Sequence, residues 1–137
     1  MIRPLRCALA AALALTLAAV AGAADKGPVD LRAMSATMAF ATVSNMANDP
    51  EKYVGLTVRM SGTFMTFELG PGREKATACV IKDATACCAA GLEFSLAQKP
   101  KSPLREGAAI AVEGVFTIEK EAGMDFAILK NARLLSR

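Results

Sequence analysis

Hydrophobic and polar residues alternate along much of the chain with a period of two, and this pattern predicts a mainly β protein. The clearest alternation runs over 53–67 and recurs over 108–120, with one parity apolar and the other polar. Two shorter strands joined by a tight turn are predicted within 78–94, and a last strand begins at Met124. Alternation of this kind is typical of strands that bury one face and expose the other.

The segment before these strands has the period of a helix instead. Over 31–48 apolar residues recur three or four positions apart, so they share one helix face. Asp30 or Ser35 can cap its start by accepting a bond from a free backbone N–H. Pro50 ends it, because proline disfavours helical geometry in the residue before it. The predicted core face consists of Ala36, Ala39, Phe40, Val43, Met46 and Ala47.

The order and lengths of the predicted strands indicate a small closed barrel similar to the OB-fold. Gly62 and Gly114 lie inside the two long strands, where a strand must bend or bulge. The first strand of an OB-fold bends in this way and pairs twice. The usual helix between strands three and four is replaced by a proline-bearing loop at 97–107. The predicted fold is therefore a mainly β, five-stranded, OB-like antiparallel barrel with one N-terminal α-helix.

The first residues have the composition of a secretory signal peptide. Arg3 and Arg6 precede an apolar run over 7–20, and small residues follow at 21–23. An apolar run of this length is too short to span a bilayer. We therefore expect a signal peptide at 1–23, a mobile connector at 24–30 and one domain at 31–137. The expected location is periplasmic or secreted, with no membrane association after cleavage.

Removing the signal peptide changes the charge balance. Without Arg3 and Arg6 the count of Lys and Arg falls from 16 to 14, against 13 Asp and Glu. A net charge near +1, with few aromatic residues, argues against a nucleic-acid partner and leaves a protein partner open. The chain contains no His, which excludes histidine catalysis and histidine metal ligands. No carboxylate pair or phosphate loop is recognisable either, so we expect no enzyme activity.

Three cysteines remain in the mature chain, and they lie close together in sequence: Cys79, Cys87 and Cys88. As thiolates they could bind zinc or copper(I), with Asp83 or Glu93 as a possible additional ligand. Such a site requires an irregular backbone at the double cysteine, because adjacent side chains of a regular strand point to opposite faces. A stabilising disulfide from Cys79 to Cys87 or Cys88 is a second hypothesis, and buried unpaired thiols are a third.

The register of the predicted hairpin decides which thiols can meet. A turn at 83–86 would pair Cys79 with Ala90, would place Cys88 on the core face beside Cys79, and would leave Cys87 outside. A turn one residue shorter would put Cys79 and Cys87 on the outer face together. The first register is favoured, because Asp83 can accept a bond from a backbone N–H two residues on.

The most specific part of the chain is Asp83-Ala84-Thr85-Ala86-Cys87-Cys88, followed by Gly91-Leu92-Glu93-Phe94. With these residues the mature chain resembles an uncharacterised family of exported bacterial proteins, and the resemblance implies an OB-fold domain. The double cysteine is also loosely similar to that of YcgQ-type membrane-associated proteins, whose neighbourhoods suggest metal handling. The expected function is an exported small binding module that takes a soft metal ion through its cysteine hairpin. The alternative is a structural or protein-interaction OB-fold module in which the cysteines form a stabilising disulfide.

Overall fold

A computed structural model of the chain describes residues 27–73 and 75–136, and the predicted signal peptide lies outside them. The described part is mainly β, as predicted, with one α-helix and six strands. The strands are β1 (Val29–Asp30), β2 (Thr57–Glu68), β3 (Lys75–Lys82), β4 (Ala89–Leu96), β5 (Ala109–Glu121) and β6 (Met124–Leu134).

The predicted helix is present, but it is divided into two helical segments. A 3₁₀ turn covers Leu31–Ala33 and the α-helix, α1, covers Ala36–Asn48. Asp30 caps the first and Ser35 caps the second, each by accepting a backbone N–H bond, at 3.1 and 3.3 Å. Both predicted caps are used because each segment has free N–H groups at its start.

Strand β2 pairs with two different strands along its length. Residues 57–63 pair with β5 and residues 63–68 pair with β3, both antiparallel. Gly62 lies next to this change of partner. A Cβ atom on Gly62 would lie 2.9 Å from the Cys79 sulfur and closer still to the Val80 carbonyl oxygen. Glycine is therefore required here by the close approach of two strands.

The sheet is mixed, so the prediction of an entirely antiparallel five-stranded arrangement needs correction. Its strand order is β1-β2-β3-β4-β6-β5, and β5 also pairs with β2. The β1–β2 and β4–β6 pairs are parallel, and the others are antiparallel. The long strands thus pair in the cycle β2-β3-β4-β6-β5-β2. Because five strands in a cycle cannot alternate in direction throughout, one neighbouring pair must be parallel.

The short strand β1 is additional to the five predicted strands, and it lies in a segment for which we expected a connector. Val29 and Asp30 pair in parallel with Val58 and Arg59 of β2. The end of the predicted connector at 24–30 therefore belongs to the sheet. No helix within the described residues is long and apolar enough to cross a membrane.

The hydrophobic core lies between α1 and the inner faces of the long strands. Val43 and Met46 of α1 are fully buried there, as their helical spacing predicts, whereas Ala36 and Ala47 of the predicted core face are exposed. Alternate residues of β2 join them, which confirms the period-two pattern. The core cluster comprises Leu31, Val43, Met46, Val58, Met60, Phe64, Cys79, Leu92, Phe94, Ile110, Val112, Phe116, Leu129 and Ala132.

Candidate functional site

The cysteine hairpin has a longer connection than the sequence predicts. Lys82 pairs with Ala89, and Cys79 with Leu92. The N–H of Asp83 donates to the carbonyl of Cys88 at 3.0 Å and closes a loop over Asp83–Cys88, which we call the thiol loop. Both predicted registers are therefore wrong. The favoured one differs by two residues, a shift that keeps Cys79 on the core face but removes Cys88 from the strand.

The thiol loop is organised around the carboxylate of Asp83. Its Oδ1 accepts the backbone N–H groups of Cys87 at 2.9 Å and Cys88 at 3.3 Å. Its Oδ2 accepts the hydroxyl of Thr85 at 2.9 Å, and its carbonyl accepts the N–H of Ala86 at 3.0 Å. Asp83 has the role expected from its turn propensity, although the N–H groups lie four and five residues on.

These hydrogen bonds favour the charged form of Asp83. Desolvation works against ionisation, but the bonds from Thr85, Cys88 and Cys87 outweigh it and lower the pKa of the Asp83 carboxyl below its ordinary value. The loop is therefore held by a carboxylate at neutral pH. Ala86 adopts a left-handed φ of 56°, a conformation that non-glycine residues adopt rarely.

The double cysteine lies outside any strand. In a regular strand successive backbone N–H groups point in opposite directions, as successive side chains do. Here the N–H groups of Cys87 and Cys88 converge on one oxygen, so the backbone is not extended at this point. The irregular backbone that a joint thiol site requires is therefore present. Both side chains are exposed, and both are free thiols.

Cys79 is separated from this pair. It is fully buried, and it faces Phe64 on β2 and Leu92 on β4. It lies three residues before Lys82, the last paired residue of β3, so roughly 10 Å of strand separates it from the loop. Burial raises the pKa of its thiol to about 12, which keeps it protonated at neutral pH.

The structure therefore brings together two of the three cysteines. A disulfide needs Cα atoms within about 7 Å, so the geometry does not allow Cys79 to reach Cys87 or Cys88. The described residues contain no group of three or more His, Cys, Asp or Glu side chains that could hold a metal ion. Only the adjacent pair of thiols remains for joint chemistry.

The two carboxylates considered as additional ligands are engaged elsewhere. Both oxygens of Asp83 accept hydrogen bonds within the loop. Glu93 lies on β4 and forms an ion pair with Arg73 through both of its oxygens. Neither supplies a free third ligand beside Cys87 and Cys88.

A second feature, a cleft around Arg73, was not predicted from the sequence. The Arg73 guanidinium pairs with Glu93 and with Glu121 at 3.1 Å, and it lies 3.4 Å over the ring of Phe126. These residues line an open cavity of about 530 Å³. They come from the β2–β3 connection and from strands β4, β5 and β6, and no short sequence motif connects them.

Comparisons with protein families, with curated proteins and with solved structures found no match to this chain. The candidate site therefore rests on its own geometry.

Proposed function

We propose that this chain is an exported small binding module that holds a copper(I) ion between the thiolates of Cys87 and Cys88. The observation that carries the proposal is the convergence of both cysteine N–H groups on Asp83 Oδ1. That convergence removes the double cysteine from strand geometry. Two exposed thiols are thereby placed on one short loop, where they can act together.

The number of ligands favours copper(I) over zinc. Zinc in proteins is almost always bound by four protein ligands in structural sites and by three in catalytic sites. The thiol loop offers two sulfur ligands, and Asp83 and Glu93 are already bonded to other groups. Copper(I) is a soft ion that selects thiolate ligands and forms stable two-coordinate complexes. Two adjacent thiolates satisfy it without a third residue.

An OB-like barrel is the scaffold that we propose for this loop. The cycle of pairings among β2, β3, β4, β6 and β5 supports it, as does the double pairing of β2. A barrel leaves the connections between strands at its rims, where loops carry binding residues on a rigid support. The thiol loop is one such connection, between β3 and β4.

Export supplies the chemical setting of the proposal. The composition of residues 1–23 supports a signal peptide, and the exported compartment of a bacterium is oxidising. Two exposed neighbouring thiols would oxidise there unless a bound ion or a reductant protects them. Copper(I) bound to both sulfurs would give that protection.

The test is a copper(I) titration of the exported chain under anaerobic, reducing conditions, in competition with a chromogenic copper(I) chelator. The wild-type chain should bind one copper per chain. The Cys87→Ser and Cys88→Ser double variant should bind none, and Cys79→Ala should bind as the wild type does. Cys79→Ala is the matched control, because it removes a thiol without touching the loop. Equal copper binding by the double variant and the wild type would refute the proposal.

An interaction module is the second candidate, and exposed apolar residues favour it. Phe67 and Leu69 are 41% and 45% exposed, and together with Ala78 and Val80 they line a groove of about 390 Å³. If no copper binds, this face is the next site to test. In-cell cross-links to a protein should then be lost in a Phe67→Ser and Leu69→Ser variant. They should persist in Met38→Ser, which changes a still more exposed residue of α1.

A further inference from the structure

We infer that the thiol loop is a transfer site: it passes its copper(I) to a dithiol acceptor by direct ligand exchange instead of retaining it. The inference rests on the proposed function and adds to it the class of partner. Direct exchange has two requirements. The ion must have a free coordination position, and an incoming sulfur must be able to reach it.

The coordination number meets the first requirement. Cys87 and Cys88 are the only cysteines in the loop, and Cys79 is buried roughly 10 Å away. Asp83 is committed to the loop backbone, and Glu93 is paired with Arg73 and lies opposite Ala78, further from the loop than Cys79. A two-coordinate copper(I) ion therefore keeps a position open for a third sulfur.

The surface around the loop meets the second requirement. Every residue from Ala84 to Cys88 is exposed, so no side chain closes over the sulfurs. The strand that follows begins with small residues, and Ala89 and Gly91 are also exposed. Gly91 has no side chain, and Ala89 has only a methyl group. A bulky acceptor can therefore approach the loop along this flank without displacing anything.

The exchange balances in atoms and charge. A thiolate of the acceptor first bonds to copper(I), which becomes three-coordinate, and the bond to one loop sulfur then breaks. The second acceptor thiolate bonds and the other loop sulfur leaves. Two copper–sulfur bonds form and two break, copper stays in the +1 state, and no electron moves. The two protons lost by the acceptor thiols go to Cys87 and Cys88.

Asp83 maintains the conformation of the thiol loop throughout this exchange. The Asp83 carboxylate accepts the N–H groups of Cys87 and Cys88, and the Asp83 backbone bonds to Cys88 and Ala86; none of these bonds uses a cysteine sulfur. The loop can therefore keep its conformation with the ion bound, shared or released. Asp83 is a positioning residue in this step, since it does not contact the ion.

Transfer kinetics test the inference. The exported chain is loaded anaerobically with one copper(I), and a synthetic Cys-X-X-Cys peptide is added at increasing concentrations in excess. Copper remaining on the chain is followed by rapid separation and metal analysis. Direct exchange predicts an initial rate that doubles whenever the peptide concentration doubles. A rate that does not change with peptide concentration means that copper dissociates first, and it overturns the inference while the proposed function stands.

Two variants with the same added bulk test the access route. Ala89→Trp places a large ring beside the loop and should slow transfer at least tenfold with one copper still bound. Ala97→Trp adds the same ring at an exposed position roughly 25 Å further along the chain, and its rate should match the wild type. Equal rates for the two variants would contradict direct access along this flank. A wild-type chain that binds no copper would overturn both the inference and the proposed function.

Discussion

Gly62 provides the sharpest test of the fold that supports the thiol loop. It lies where β2 leaves β5 and joins β3, and Cys79 and Val80 of β3 lie directly against it. In a Gly62→Ala variant the new methyl carbon would lie 2.9 Å from the Cys79 sulfur. An ordinary contact is about 3.5 Å, so this pair alone is short by roughly 0.6 Å.

The β3 backbone determines how strongly the Gly62→Ala substitution destabilises the protein. A flexible side chain could rotate away from the added methyl group, but the Val80 carbonyl oxygen, which lies closer still, is part of the β3 backbone. Relief therefore requires the two strands to separate and weakens their hydrogen bonds. Overpacking of this kind costs about 1–3 kcal/mol, and we expect the upper end, about 3 kcal/mol. For a domain of this size the melting temperature should fall by about 10–15 °C.

Urea unfolding followed by circular dichroism is the appropriate assay, since the chain contains no Trp to report by fluorescence. Gly27→Ala is the control: nothing lies within 4 Å of its Cβ position, so its free energy of unfolding should change by less than about 0.5 kcal/mol. Gly91→Ala, with contacts at 3.0 and 3.1 Å, should fall between the two. If Gly62→Ala is as stable as Gly27→Ala, β2 and β3 do not approach each other as described.

Three further predictions follow from the electrostatics and burial of particular side chains. A thiol reagent at neutral pH should label Cys87 and Cys88 at once and Cys79 only after denaturation, because Cys79 is buried and its pKa is raised to about 12; rapid labelling of all three would contradict its burial. Hydrogen bonds from Arg59 and then Arg133 lower the pKa of the Glu113 carboxyl below its ordinary value of 4.5. These bonds therefore stabilise the folded protein fully above pH 4.5, and this stabilisation is lost as the pH falls through the lower pKa of the folded state. The free energy of unfolding should therefore decline on acidification, and less steeply in Glu113→Gln; parallel pH profiles would rule out this contribution. Arg73→Gln should lower the free energy of unfolding by about 2 kcal/mol, because Arg73 is largely buried against Glu93. Lys120→Gln, which breaks an exposed pair with Asp125, should change the free energy of unfolding by less than about 0.5 kcal/mol. If both variants lost the same free energy of unfolding, Arg73 would not be held in the cleft as described.

The helix and the strands could be predicted because their signals are local. Ser35 caps α1 through a bond to a residue three positions on, and the alternation in β2 needs only the residues of that strand. Gly62 could also be identified as a special position of the strand, because a glycine inside a long β pattern is unusual. Each of these features depends on residues a few positions apart.

The conformation of the thiol loop could not be obtained in the same way. The sequence identifies Asp83 as a turn residue, but several backbone N–H groups lie within its reach. Which of them it binds depends on where β3 and β4 stop pairing. β3 pairs with β2 as far as Val80 and β4 pairs with β6 from Glu93, so both strands are positioned by partners distant in the chain. The register of this hairpin is therefore not readable from the turn residues alone.

Local patterns specify the set of elements and the presence of three thiols near one turn, since period and turn propensity act over a few residues. The tertiary structure alone decided that the sheet is mixed, because the β4–β6 pairing joins strands far apart in the chain. It also decided which cysteines are buried and which are exposed. Cys79 is buried because Phe64 and Leu92 are placed opposite it by two other strands, whereas Cys87 and Cys88 are exposed because strand pairing ends before them. Local residue types specify the thiols, and long-range pairing determines which of them can act together.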